Sequence, residues 1–144
     1  MEYAVQCWSP YLQRDIDLLE KVQRRATKLV LEIKQLSYEE RCQALNIQTL
    51  KDRRLRGDMI EVYKLLNGYE DIDYRTLFTL SDRQSRGHSL KLKKPASCRT
   101  TLRSQYFSLR AINPWNALPQ AVVEAPSISS FKSRYDKHIG HLEE

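Results

Sequence analysis

The chain has 144 residues, of which 41% are hydrophobic and 29% charged, and a formal net charge of +6. That length suits one domain or two small subdomains, and only four glycines and five prolines favour helices over a many-turned β-sandwich. No apolar run reaches the roughly 18 residues of a membrane span, and no basic stretch followed by an apolar one opens the chain as a secretion signal would, so the expected location is intracellular, nuclear or cytoplasmic.

Tyr3 to Trp8 is apolar and is broken by Ser9-Pro10, either as a cap and first helical turn or as a bend. From Asp15 the spacing predicts a helix, because Ile16, Leu19, Val22, Ala26, Leu29 and Val30 recur at steps of three and four. Those six define its expected core face. Lys21, Arg24, Arg25 and Lys28 form a basic stripe away from it. Ser37 and Glu40 have capping-box spacing and predict a short second helix, which Leu45-Asn46-Ile47 ends. Thr49 with Asp52 offers the next N-cap, for a helix with Leu55, Met59, Val62 and Leu66 inward that stops at Asn67-Gly68.

Residues 1–68 therefore read as a small helical bundle. Asp71-Ile72-Asp73 predicts a turn, and Tyr74 to Leu80 one helical turn at most. His88 to Lys93 alternates polar and apolar, the period of a half-exposed strand, and Thr100 to Phe107 is a candidate partner strand in a hairpin. Helical spacing returns with Phe107, Ala111 and Trp115 and ends at Pro119. Ser127 then caps an amphipathic helix with Ile128, Phe131, Tyr135 and Ile139 inward. The expected fold is mainly α: a bundle at 1–68, a mixed basic segment at 69–123 and a terminal helix at 124–144.

Catalytic constellations are missing from this pattern. His138 and His141 stand at i, i+3, a metal-clamping spacing without a third ligand. His88-Ser89 lacks a nucleophile elbow or a glycine-rich oxyanion turn, and no phosphate-cradling glycine loop is present. Asp71 and Asp73 suit helix capping better than ion binding. Cys7, Cys42 and Cys98 are odd in number and far apart, which suits a reducing compartment and excludes a C-x-x-C zinc site. No cofactor and no metal are expected.

Charge placement is more informative. Residues 1–82 carry 13 basic and 14 acidic side chains, residues 124–144 carry 3 and 4, and residues 83–123 carry eight basic groups and no acid. The eight are Arg83, Arg86, Lys91, Lys93, Lys94, Arg99, Arg103 and Arg110. Such a stretch neutralises phosphates and releases counterions on binding RNA or DNA. Tyr106, Phe107 and Trp115 lie in the same region and are candidates to stack unpaired bases, although Trp115, between Pro114 and Leu118, reads better as a core residue. The competing reading is a helical interaction module whose basic surface meets an acidic protein.

An ordered set of strings carries a resemblance. They are Glu2-Tyr3-Ala4 with Trp8-Ser9-Pro10, Leu19 to Lys28, Arg54 to Ile60 with Tyr63-Lys64, Arg86 to Leu92, Asn113 to Pro119, and Ser130-Phe131-Lys132. In this order and spacing they resemble the segment downstream of the polymerase domain in reverse transcriptases of animal non-LTR retrotransposons, the jockey- and CR1-like LINE elements. The resemblance spans nearly the whole chain. It implies a parent RNA-directed DNA polymerase that copies RNA from a nicked-DNA primer, with the RNA template and DNA primer as partners. The paired metal-binding aspartates of Tyr-x-Asp-Asp, the endonuclease residues and a zinc knuckle are absent, so no catalytic residue carries over. The expectation is a truncated, non-catalytic remnant that grips a nucleic-acid backbone through the α-helical stripe and the acid-free segment.

Overall fold

Side-chain caps set the starts of several helices in this chain. Ser37 accepts from the Glu40 N–H, and the Glu40 carboxylate accepts from the Ser37 N–H at 2.7 Å, a reciprocal capping box. The Ser37 backbone N–H, with a smaller contribution from the Ser37 side chain at the same carboxylate, holds the Glu40 carboxyl below its usual pKa. The helix so started, α3 (Tyr38–Ala44), ends with Asn46 in the left-handed region at φ 50°. Thr49 accepts from the Asp52 N–H and opens α4 (Leu50–Leu66), which closes on Gly68 at φ 70°. Before these lie α1 (Val5–Trp8) and α2 (Gln13–Thr27).

The computed structural model describes residues 3–82, 87–96 and 100–140, and it is mainly helical, as the sequence predicts. The chain divides into two compact units, Met1–Arg56 and Gly57–Glu144. The division falls inside α4 and not at Gly68, and residues 69–123 and 124–144 share one unit. The physical reason is that the second half of α4 contributes Met59, Val62, Tyr63 and Leu65 to the core of the C-terminal unit.

In the N-terminal unit, α2 is turned away from its expected orientation. Val22, Ala26, Leu29 and Val30 are exposed, Ile16 and Leu19 are half-buried, and the helix ends at Thr27. Its buried residues are Glu20, Gln23 and Thr27. Each is held by hydrogen bonds that an apolar side chain cannot make. Glu20 Oε1 accepts from the Tyr38 hydroxyl and from the Leu50 N–H. Gln23 donates to the Gln48 carbonyl at 2.8 Å, and Thr27 Oγ1 accepts from Arg41 Nε at 3.1 Å. Arg41 also donates to the Leu36 carbonyl. Burial, reinforced by the Glu20 carboxylate, pushes the Tyr38 hydroxyl pKa well above the ordinary tyrosine value. Periodicity located an apolar stripe on α2, but hydrogen-bonded polar groups won the interior, with Glu20 Oε2 left buried without a partner among the described residues.

The C-terminal unit has an aromatic core. After a 3-10 turn at Tyr74–Thr76, in which the Asp73 side chain accepts from the Arg75 N–H, come four short helices: α5 (Thr101–Ser104), α6 (Phe107–Arg110), α7 (Ile112–Asn116) and α8 (Gln120–Val123). Ser127 caps α9 (Ile128–His138). Phe131 stacks on Tyr63 with ring centroids 4.4 Å apart and on Trp115 at 6.1 Å. The Tyr63 hydroxyl donates to the Ala125 carbonyl at 2.5 Å, and burial raises its pKa. The expected hairpin does not form, because Thr101–Ser104 and Phe107–Arg110 are helical. Among the described residues the β pairing is a single antiparallel bridge, Leu80 to Leu92.

The two cores give opposite mutational signatures. Trp115→Ala should cost about 3–5 kcal/mol, as aromatic-to-alanine core changes do. Gln23→Ala, which strips the Gln48 carbonyl of its donor, should cost about 1–3 kcal/mol. Val22→Ala should cost less than about 0.5 kcal/mol. Urea denaturation measures all three, and a Val22→Ala loss equal to that of Gln23→Ala would return the apolar stripe of α2 to the interior.

Candidate nucleic-acid interface

Extended backbone must find partners on both edges, and residues 88–93 find them on two different elements. On one edge the Ser81 N–H donates to the Lys91 carbonyl at 2.8 Å, and the Lys93 N–H donates to the Thr79 carbonyl at 2.7 Å. On the other edge side chains substitute for a strand. Asn116 accepts from the Leu92 N–H and donates to the Leu92 carbonyl, both at 2.8 Å. Trp115 Nε1 donates to the Leu90 carbonyl at 2.8 Å, and Gln120 accepts from the Ser89 N–H at 2.9 Å. The alternation read from His88 to Lys93 is therefore extended backbone with Leu92 buried and Lys93 exposed. Its second neighbour is α7 with the first residue of α8.

His88 pins the start of this segment. It is 2% exposed, stands edge-on to Trp115, and its Nε2 lies 2.9 Å from the Trp115 carbonyl. A carbonyl only accepts, so Nε2 donates, and Nδ1 is left buried without a partner among the described residues. Burial lowers the His88 pKa from its ordinary 6.5, and Lys91 adds to the effect. Gly87, at φ 113°, places Lys91 so close that a Cβ would stand 3.0 Å from its Nζ. A side chain there meets backbone strain and requires the Lys91 tip to shift.

The expected phosphate contacts separate into distinct groups. Lys93, Lys94 and Arg103 are exposed, and Lys91 is half-buried. Arg110 is committed to the protein: Nε and Nη2 each approach a carboxylate oxygen of buried Asp58 at 2.9 Å, and Nη1 donates to the Gln105 carbonyl at 3.0 Å. An acid 52 residues away in sequence neutralises it, which a linear charge count over 83–123 does not register. On α2, Lys21, Arg24, Arg25 and Lys28 are exposed, with the Arg24 guanidinium 4.5 Å from the centre of the Tyr38 ring. Arg83, Arg86 and Arg99 lie outside the described residues, as do Cys98 and His141.

Of the candidate stacking rings, only Tyr106 is exposed, at 57%. Trp115 is fully buried, and Phe107 is half-buried, edge-on to Phe78 with centroids 5.5 Å apart. Both are core residues. Among the described residues no group of three or more His, Cys, Asp or Glu side chains is arranged to hold a metal, and no helix is long and apolar enough to cross a membrane. Comparison with protein-family models, curated proteins and solved structures finds no match.

Two consequences of this geometry are measurable. Asn116→Ala leaves two Leu92 backbone groups without partners and should cost about 1–3 kcal/mol or more in stability. The buried His88 binds fewer protons folded than unfolded, so its contribution to stability is complete above pH 6.5 and is lost as pH falls below that value towards its lowered folded pKa. The urea midpoint should therefore drop between pH 7.5 and 5.5, and His88→Gln should reduce that drop. An equal drop in both proteins would show that His88 does not titrate against folding.

Proposed function

We propose that this chain is a non-catalytic nucleic-acid-binding module, of the kind that follows the polymerase domain in LINE reverse transcriptases. The observation that carries the proposal is the concentration of the chain's positive excess in residues 83–123, where eight cations meet no acid in sequence. With Arg110 held by Asp58, the described cations left on the surface of that stretch are Lys93, Lys94 and Arg103, with Lys91 partly so. The ordered strings of the resemblance lend further support. Two of them touch: the side chains of Trp115 and Asn116 bond the backbone of Leu90 and Leu92, which gives the tryptophan and the asparagine a structural reason. Backbone contacts of this kind position a nucleic acid without reading its sequence.

The reading implies weak sequence dependence and strong salt dependence. For about 4–6 phosphate contacts, the slope of log K against log salt should be about −3 to −5. Replacing Lys93, Lys94 and Arg103 by glutamine should flatten it by about 2–3 units, with circular dichroism unchanged. Replacing Lys21, Arg24, Arg25 and Lys28 should matter less, because Asp17 and Glu20 lie in the same helix. A triple variant that keeps the wild-type slope would mean that the segment is only a solvated face. The purified chain should also extend no primer on an RNA template with magnesium or manganese, and incorporation above a buffer blank would contradict a non-catalytic role.

A further inference from the structure

Helix α2 has three faces. One buries Glu20, Gln23 and Thr27. A second carries Leu18, Val22 and Ala26 at steps of four, Leu29 follows just past the helix end, and all four are exposed. Leu18 and Val22 are 53% and 50% exposed and Leu29 is 77%, so these apolar side chains stand in water as a line and not as scattered residues. Beside that line runs the third face, where Arg14, Lys21 and Lys28 recur every seven residues and Arg25 falls between the last two. Asp15 lies 3.6 Å from Arg14, so the edge is basic from Lys21 onward.

We propose that this face of α2 docks an amphipathic helix of a partner protein that carries acidic residues along one edge. An exposed apolar line on one helix, flanked on one side by cations, suits an amphipathic helix laid along it, with the edge charges choosing the partner. The charge selects among occupants. A second copy of this chain paired two-fold and antiparallel would set Lys21, Arg25 and Lys28 against their own equivalents, which is unfavourable. An anionic lipid surface satisfies the cations, but the seam contains a valine and an alanine and no large aromatic anchor of the kind interfacial helices use. The proposal needs none of Lys93, Lys94 and Arg103, on which the nucleic-acid reading chiefly rests, although that reading gives Lys21, Arg25 and Lys28 a lesser part.

The test is calorimetric titration of the full chain with a synthetic peptide of about 21 residues, leucine at the a and d positions and glutamate at e and g. The glutamate peptide should bind, and the same peptide with lysine at e and g should not. The double variant Leu18→Asp, Val22→Asp should weaken binding by about tenfold or more with unchanged circular dichroism, since both positions are exposed. The Lys93, Lys94 and Arg103 triple glutamine variant should bind the peptide as wild type does. Equal binding of both peptides, loss of binding in the triple variant only, or no binding at all overturns the proposal. So does co-sedimentation with phosphatidylserine vesicles, or self-association on sedimentation, that the double variant abolishes while the peptide fails to bind.

Discussion

The arrangement of the C-terminal unit depends on Asn116 and Trp115 acting as the missing strand beside residues 88–93. A lone extended segment exposes two rows of backbone donors and acceptors, and burying Leu92 without pairing them carries a large desolvation cost. Ser81 and Thr79 pair one row, while the Asn116 amide and the Trp115 indole pair the other. The same tryptophan is fully buried between the rings of His88 and Phe131. One residue thus joins the aromatic core to the segment that carries Lys91, Lys93 and Lys94. Cations on so pinned a backbone lose less conformational freedom on meeting a phosphate than cations on a free loop.

The N-terminal unit solves a different problem. With few apolar residues turned inward, it is held by polar side chains that reach backbone across the fold: Glu20 to Leu50, Gln23 to Gln48, Arg41 to Leu36. Such networks are specific in geometry, since each buried group must be matched. They also release the apolar stripe of α2 to the surface, next to a basic edge. Arg110 and Asp58 show the converse in the other unit, where an ion pair with two parallel hydrogen bonds draws a cation out of the surface set.

Local chemistry made much of the fold legible in the sequence. The Ser37–Glu40 box, the Thr49 cap, Asn46, Gly68 and the Ser127 cap all act where their residue types place them, because a cap needs only its own turn. The mainly α character and the inward Phe131 and Tyr135 followed from periodicity. The orientation of α2 did not, since Leu19 and Val22 score as core by hydropathy while Glu20 and Gln23 owe their burial to partners 18 to 30 residues away. The Thr100–Phe107 hairpin failed for a related reason: the second edge of residues 88–93 is satisfied by side chains, which leave no strand pattern in sequence. For the candidate interface, residue type alone separated neither Arg110 from Arg103 nor Trp115 and Phe107 from Tyr106.

If the Asn116 amide holds the basic segment in place for a nucleic-acid backbone, as proposed, Asn116→Ala tests this without changing a charge. The measurement is fluorescence anisotropy with a labelled single-stranded oligonucleotide at low salt, at a temperature where circular dichroism shows both proteins folded. Asn116→Ala should bind several-fold more weakly than wild type, because Lys91, Lys93 and Lys94 lose their fixed backbone. Wild-type affinity in the folded variant would contradict it and would reduce the segment to a flexible polycation whose charge, and not its placement, carries any binding.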